Sequence, residues 1–515
     1  MRTVSVFGVI RSQAVQDRKP TVQENIYSYE ARNFVALTLD RHLDPDLFRD
    51  HAVKKFFDKC VNSEVLQGLN EFPIVTNHLH FQEWLRKRDG SALSKLDKEV
   101  GYITTWRDYM CLFKLMVKKE AKVKLDASSL AKHNPAQNII FHIKFINAVF
   151  SSIFAQLSER LRVVLKRNII LYTSMSVDKF ADRLYDVLGG VNVYNTVEMD
   201  FSKFDKSQDV YIKACEMEIY RRLGLSEDML DLWCAAETFC KAKSLDKDIS
   251  FTLGAQRRSG TANTFLGNSI VTLLLLSQYY DIGDISCLAV AGDDSIMFAA
   301  ADAVFSCCDI SPKFGGGTHD IIFARAKPIP DFSHELMVDL GMETKLFRDL
   351  PAYFCSKFII FCNERVYVIP DPYKLMVKLG KPYNDWDDTA LSERFISFKD
   401  HTKHLDNEGV VAALTEAVNI RYNLVGYHTY AAISALHCVS ANKKRFFELY
   451  PFKHGFLTRS VRKVGRMISK FTYYIKSKGF VIIDKRDQGD TYAFDYAYRE
   501  TYEARNNPDV FGRSI

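Results

Sequence analysis

The sequence predicts an α+β fold rather than a doubly wound parallel sheet, and three observations predict it. From about residue 195 to 370, short apolar runs that read as strands alternate with longer periodic segments that read as helices. Among them "CLAVAGDDSIMF", residues 287–298, sets two apolar runs on either side of a Gly-Asp turn, the pattern of an antiparallel hairpin. No internal repeat, low-complexity tract or flexible linker divides the chain, so these elements belong to closely connected layers.

In chain order, residues 1–100 alternate short apolar segments with charged helical ones such as "DLFRDHAVKKFFDKCVNSEVLQGL" and carry no chemical signal. "NHLH" reads as a strand with His78 and His80 on one face; without further ligands nearby the pair reads as structural. Residues 107–170 hold 12 Lys/Arg against 4 Asp/Glu, a local balance of +8 that exceeds the +6 of the whole chain. "NTVEMDF" predicts a strand, "DVYIKACEMEIYRRLG" a helix, "NSIVTLLLLSQYY" a second helix, and "SKFIIFCNERVYVIP" a strand pair after the opening hairpin. Gly315–Gly317 in "KFGGGTHD" lack a following Lys-Ser/Thr and read as a turn rather than a phosphate loop. Residues 443–478 are basic again, with 11 Lys/Arg against one Glu, and past 480 the chain becomes an acidic, Tyr-rich tail with the character of a docking segment.

The totals exclude several classes. At 515 residues, 47% hydrophobic and 26% charged, this is an ordinary globular composition with room for about two to four domains or subdomains. Eleven cysteines without a CxxC pair read as reduced thiols of an intracellular protein, with Cys307 and Cys308 as small buried hydrophobes. The apolar run at the N-terminus is too short and broken for a signal peptide. The longest uncharged stretch, Ser259 to Tyr280, opens with Gly, Thr, Asn and Ser, so no segment reads as a membrane span.

The chemistry gathers in three places. The strand before "DFSKFDKSQD" ends at Asp200, and Asp205 follows where a helix begins. Asp293 and Asp294 sit at the hairpin tip. A cluster of Asp200, Asp293 and Asp294 stays ionised only beside cations, and hard carboxylate oxygens suit two Mg²⁺ or Mn²⁺ ions, the arrangement for in-line nucleotidyl or phosphoryl transfer. Between the acids, "QRRSGTANTFLGNS" lines up Ser259, Gly260, Thr264 and Asn268. A capped loop-to-helix junction needs only one such residue, whereas a surface approaching a sugar or a nucleic-acid backbone uses several, with Gly260 admitting a close approach.

Asp200-x4-Asp205, Ser259-Gly260-x3-Thr264-x3-Asn268 and Gly292-Asp293-Asp294 together resemble motifs A, B and C of positive-strand RNA virus RNA-dependent RNA polymerases. The wording is similar to the alphavirus-like superfamily and, within it, to closterovirus polymerases. The resemblance extends to "MVKKEAKVKLD" with "KHNPAQNIIFHIKFINAVF" and to "METKLFRDLPAYFCSKFII", covering about 110 to 370. It implies a right-hand polymerase of fingers, palm and thumb, with an antiparallel-sheet, RRM-like palm and a largely helical thumb. The corresponding divisions are an N-terminal region 1–106 contributing to fingers, fingers 107–190, a palm 191–370 with a fingers insertion about 215–255, and a thumb and tail 371–515.

For individual residues, the resemblance implies that Asp200 and Asp293, supported by Asp294, hold two Mg²⁺ (or Mn²⁺) ions. Asp205, with Ser259, Asn268 and Thr264, would meet the ribose 2′-hydroxyl, which both donates and accepts and separates RNA from DNA precursors. Lys118, Lys119, Lys122, Lys124 and Lys132 resemble the segment that covers the incoming triphosphate; a solvated basic loop is the competing reading. Lys345 looks like a general acid for the leaving pyrophosphate, or else a surface lysine. Cys355, Ser356 and Lys357 fall where the primer strand is gripped. From charge and position alone, Arg459, Arg462, Lys463, Arg466 and Lys470 recur at helical spacing, a stripe suited to duplex phosphates. The implied partners are template and nascent RNA, ribonucleoside triphosphates and a separate viral methyltransferase/helicase replication protein. The implied location is the host cytoplasm, at membranes reached only through partners. Two rivals are a reverse transcriptase and a non-catalytic RNA-binding replication subunit. The first would show an aromatic where Ala291-Gly292 precedes the acids and no hydroxyl-reading Asp205; the second would need no converging carboxylates.

Overall fold

The computed structural model describes residues 21–34, 44–70, 72, 74, 78–88, 94, 96, 100–118, 135–190, 194–245, 249–308, 320–326, 329–348, 350–380, 388–424, 428–449 and 467. Lys119, Lys122, Lys124 and Lys132, Gly315–Gly317, the stripe from Arg459 to Lys470 and the Tyr-rich tail lie outside the described residues, as do the side chains of Cys307 and Cys308.

The strands are β1 (Leu112–Val117), β2 (Asn138–Phe141), β3 (Ile169–Leu171), β4 (Tyr194–Phe201), β5 (Cys240–Ser244), β6 (Ser250–Leu253), β7 (Cys287–Ala291), β8 (Asp294–Cys308), β9 (Asp320–Ala326), β10 (Thr344–Arg348), β11 (Tyr353–Phe354), β12 (Lys357–Cys362) and β13 (Arg365–Pro370). They form sheets of order β2-β1-β5-β6, β10-β4-β8-β7-β3 (with β9 beside the distal part of β8) and β11-β12-β13. Among the described strands only β1 with β5 and β3 with β7 run parallel. The mixed, antiparallel-rich architecture predicted from the hairpin is therefore present. "DVYIKACEMEIYRRLG" forms the helix Val210–Arg222, started by the Asp209 carboxylate accepting from the Ile212 N–H at 3.0 Å. "NSIVTLLLLSQYY" lies in the helix Thr264–Tyr279, which is buried on all sides from Leu266 to Ser277, as its unbroken apolar run requires.

Side-chain alternation splits the central sheet between two cores. Val197, Met199, Leu288, Val290 and Met297 face the largest core, shared with the helices Pro45–Cys60, Lys144–Val164 and Thr264–Tyr279. Ile296, Phe298 and Ala289 face the other, where Phe180 and Leu184 of the helix Val177–Leu188 meet Phe354, Ile359 and Val368 of the small sheet. Glu198, on that second face, takes a bidentate pair from Arg421 at 2.7 and 3.0 Å, which ties the helix Glu408–Tyr422 to the sheet.

One local expectation is overturned. "NHLH" is not a strand: His78 opens the helix His78–Arg86. The reason is the apolar spacing that follows, since Phe81, Trp84 and Leu85 recur at helical intervals and Phe81 stacks on Trp84. Two residues apart on a helix, the histidines do not share a face.

His142 is buried between Phe113 and Trp233, with ring centroids 4.1 and 5.6 Å away, and its Nε2 lies 2.8 Å from the Met110 carbonyl. Burial holds its pKa down at about 4, against the hydrogen bond to Met110. The folded state thus binds fewer protons than the unfolded chain between pH 6.5 and about 4. The contribution of neutral His142 is whole above pH 6.5 and is lost as pH falls through that window, a swing on the order of 3 kcal/mol. Unfolding curves across it should be steeper for the native chain than for His142→Gln, which cannot titrate; equal slopes would refute the assignment.

Candidate active site

The hairpin tip is built by backbone chemistry. Ala291 pairs with Asp294, leaving Gly292-Asp293 as a two-residue loop. Gly292 has φ 68°, in the left-handed region that a residue without Cβ occupies at no cost. Both its backbone groups are held by one helix: its N–H donates to Ser269 Oγ and its carbonyl accepts from Thr272 Oγ1, each at 2.9 Å. Sequence reasoning missed these two hydroxyls, although Ser269 and Thr272 are three residues apart in a helix otherwise mostly apolar.

β4 runs antiparallel to β8 with Met199 opposite Ser295, so the next step brings Asp200 level with Asp294. On the other side of β4, Lys345 of β10 pairs directly with Asp200. Lys345, Asp200 and Asp294 thus occupy one row across three neighbouring strands, and residues in such a row project to the same face with Cβ atoms about 5 Å apart. All three are exposed, as is Asp293 in the adjoining loop. An ammonium group beside two carboxylates offsets part of their mutual repulsion. Among the described residues no three acidic, histidine or cysteine side chains close into a metal cage. The donors this strand end offers are hard carboxylate oxygens, which fit Mg²⁺ or Mn²⁺ rather than a soft metal.

The small sheet abuts this end. Phe354 pairs with Lys357, and the two turn residues between them, Cys355 and Ser356, have φ of 50° and 61°. Such backbone costs about 1–3 kcal/mol per non-glycine residue and persists only where contacts enforce it. Here Lys357 Nζ donates to the Cys355 carbonyl and Lys374 Nζ to Ser356 Oγ, both at 3.0 Å, while the Cys355 thiol lies near the Asp294 carboxylate. Burial and the Asp294 carboxylate push the Cys355 thiol well up, so it stays protonated beside the acid. Burial in turn lowers Lys357.

A second cluster lies at the start of the buried helix. Asn268 Nδ2 donates to Asp205 Oδ1 at 2.9 Å, so this expected pair is brought together. Burial pushes the Asp205 carboxyl up, against the Asn268 bond and the charges of Arg257, Lys213 and Arg32. Ser259 and Thr264 are placed differently. Ser259 Oγ donates to the Asn138 carbonyl of β2 at 3.0 Å, and Thr264 Oγ1 to the carbonyls of Arg258 and Thr261, both at 2.9 Å. Gly260 was expected to admit a nucleic-acid backbone. The space its Cβ would need is instead taken by β2, with Ile139 Cγ2, the Ile140 carbonyl and Phe141 Cβ all within 2.9 Å. Of the expected triphosphate-covering lysines only Lys118 is described; it is exposed, and its N–H donates to the Gln137 carbonyl at 2.7 Å.

Behind Asp205 and Asn268 lies a buried charge network that sequence reading missed. Arg257 and Lys213 pair with Glu216 Oε2 at 2.8 and 3.0 Å, and Lys213 also pairs with Glu237 at 2.7 Å. Although burial pushes Glu237 up, Lys213, Arg257 and Arg258 together hold it down at about 2. A Cβ on Gly267 would lie 2.2 Å from Glu216 Oε1 and 2.4 Å from Arg257 Nη2, so glycine there makes room for the ion pair.

A family model described as RNA dependent RNA polymerase matches residues 3–315 and 305–449. The replicase polyprotein 1ab of Beet yellows virus (isolate Ukraine) is 37% identical over 469 residues, covering 91% of this chain and 14% of its own length. The replicase polyprotein 1ab of Grapevine leafroll-associated virus 3 (isolate United States/NY1) is 32% identical, over 92% of this chain and 16% of its own. The replicase large subunit of Pepper mild mottle virus (strain Spain) is 27% identical, over 85% and 25%. The chain therefore spans between 14% and 25% of these relatives.

Proposed function

This chain belongs to the RNA-dependent RNA polymerase family and is similar to closterovirus replicases, and from that premise we propose that it adds ribonucleotides to an RNA 3′ end as directed by an RNA template. The observation that carries the reading is the row Lys345–Asp200–Asp294, with Asp293 beside it at the hairpin tip. Asp200 and Asp293, with Asp294, would hold two Mg²⁺ or Mn²⁺ ions. When bound, such ions lower the pKa of the attacking 3′-hydroxyl and neutralise the triphosphate. Lys345, paired with Asp200 at the sheet edge, would deliver a proton to the leaving pyrophosphate. Asp205 and Asn268 would meet the ribose 2′-hydroxyl, and the basic segment from Lys118 to Lys132 would cover the phosphates. The left-handed turn at Cys355 and Ser356, with Lys357, would guide the primer end past Asp294.

In this reading residues 191–370 are the palm, 107–190 with the insertion near 215–255 the fingers, and the C-terminal region from 371 the thumb, whose cationic stripe follows the product duplex. Template and nascent RNA, ribonucleoside triphosphates and a methyltransferase/helicase replication protein would be the partners, in the host cytoplasm. Membrane attachment would come through those partners; no helix among the described residues is long and apolar enough to cross a membrane.

The test is incorporation of labelled ribonucleotides by the purified chain on a generic RNA template with Mn²⁺ or Mg²⁺. The expected product is complementary to the template and disappears with EDTA. RNA binding without metal-dependent synthesis would favour a non-catalytic replication subunit instead.

A further inference from the structure

The Asn268 amide can face Asp205 in two ways, and only one is useful. With Nδ2 toward Asp205 the amide donates to the carboxylate; with Oδ1 toward it, two acceptors oppose each other and the acid is left bare. An amide does not itself choose, because its two ends are alike in shape. The choice must come from neighbours that can only donate or only accept.

Two groups reach the carbonyl end. Arg257 Nε donates to Asn268 Oδ1 at 2.9 Å and Gln208 Nε2 donates to the same oxygen at 3.0 Å, filling both of its lone-pair directions. Gln208 carries an amide and could reverse. Arg257 cannot: a guanidinium has no acceptor and does not lose its proton in a protein. The backbone N–H of Arg257 also donates to the Asp205 carbonyl at 2.8 Å, so one residue holds the main chain of the acid and the side chain of its partner. The far end of the guanidinium is fixed by Glu216 at 2.8 Å, with no exposure to water.

We infer that Arg257, assisted by Gln208, is the positioning residue that locks the Asn268 amide with its N–H toward Asp205 and thereby sets the preference for ribonucleotides over 2′-deoxyribonucleotides. This rests on the proposal that Asp205 and Asn268 meet the ribose. Lysine cannot replace the arginine, because its single ammonium cannot bond Asn268 and Glu216 in the same fork geometry.

The experiment is single-nucleotide incorporation by the full chain, comparing kcat/KM for ATP and 2′-deoxyATP on one RNA primer and template. Arg257→Lys is expected to lower the ribo-to-deoxy ratio by about tenfold, mainly through a higher KM for ATP, with 2′-deoxyATP changed by less than about threefold. 3′-DeoxyATP, which keeps the 2′-hydroxyl, should lose as ATP does. Gln208→Leu should lower the ratio in the same direction by a smaller factor, about threefold. A purely structural role would depress all three nucleotides together and leave the ratio unmoved; that result in both variants overturns the inference. If Arg257→Lys does not fold, the ratio for Gln208→Leu decides alone. Asp205→Asn and Asn268→Ala separate the two levels of the argument. If they too leave the ratio unchanged, the ribose reading of that pair falls; if they collapse it while Arg257→Lys and Gln208→Leu do not, only the positioning role falls.

Discussion

Asp293→Ala should remove template-directed incorporation by roughly three orders of magnitude while leaving the melting temperature almost unchanged. Both halves follow from where the residue stands. Asp293 is exposed in a two-residue loop, so its truncation buries nothing and opens no cavity, and stability should move by less than about 0.5 kcal/mol. The loop keeps its shape because Gly292, not Asp293, takes the left-handed conformation, and because Ser269 and Thr272 grip the Gly292 backbone. What is lost is one carboxylate of a set whose charge would be held by divalent ions at the reacting phosphate. Incorporation and thermal unfolding measured on the same preparation check both halves. Synthesis above about a tenth of the native rate would refute a metal-holding role for the hairpin tip.

The hairpin and its tip were legible because apolar runs around Gly-Asp leave few alternatives, the helix at 210 because its apolar residues recur at helical intervals, and the helix at 264 because its apolar run is too long for a strand. What sequence could not supply was register. That Lys345 pairs with Asp200, and that Asp200 comes level with Asp294, depends on how strands far apart in the chain align. Nor could it show where hydroxyls spend their hydrogen bonds. Ser259 and Thr264 look like members of one polar surface in "SGTANTFLGNS", yet their Oγ atoms close onto the backbone of β2 and of the preceding loop. The "NHLH" error has a related origin: a four-residue window cannot show period 3.6, and the Phe81–Trp84 contact that decides for helix lies just beyond it.

The helix Thr264–Tyr279 connects the two parts of the site. Its first turns present Asn268 to Asp205, and Ser269 and Thr272 hold the loop that carries Asp293. A shift of this helix would therefore move the Asp205–Asn268 pair and the acidic tip together. Its freedom to shift is small, because it is buried along most of its length and its N-terminal turn is bonded to the charge network through Asn263.

That network yields the largest expected loss of stability. Glu216→Ala should cost about 3–5 kcal/mol, read as a lowered denaturant midpoint, because it strands buried cations rather than because it removes attractive contacts. The Glu216 carboxylate meets four groups: Arg257 at 2.8 Å, Lys213 at 3.0 Å, the Tyr220 hydroxyl at 2.6 Å and the Asn263 amide at 3.2 Å. With it gone, Lys213 and Arg257 share Glu237 alone, so these two buried ion-paired cations face a single anion. The Tyr220 hydroxyl also loses its acceptor in a site that water does not reach. If uncompensated charge dominates, adding Lys213→Met should recover part of the loss by leaving one ion-paired cation, Arg257, for the one remaining anion, although it deletes a further ion pair. If lost contacts dominate, the double variant should be worse than the single one. Recovery in the double variant would establish that the network is held by balance of charge; further loss, or a single-variant cost below about 1 kcal/mol, would refute it.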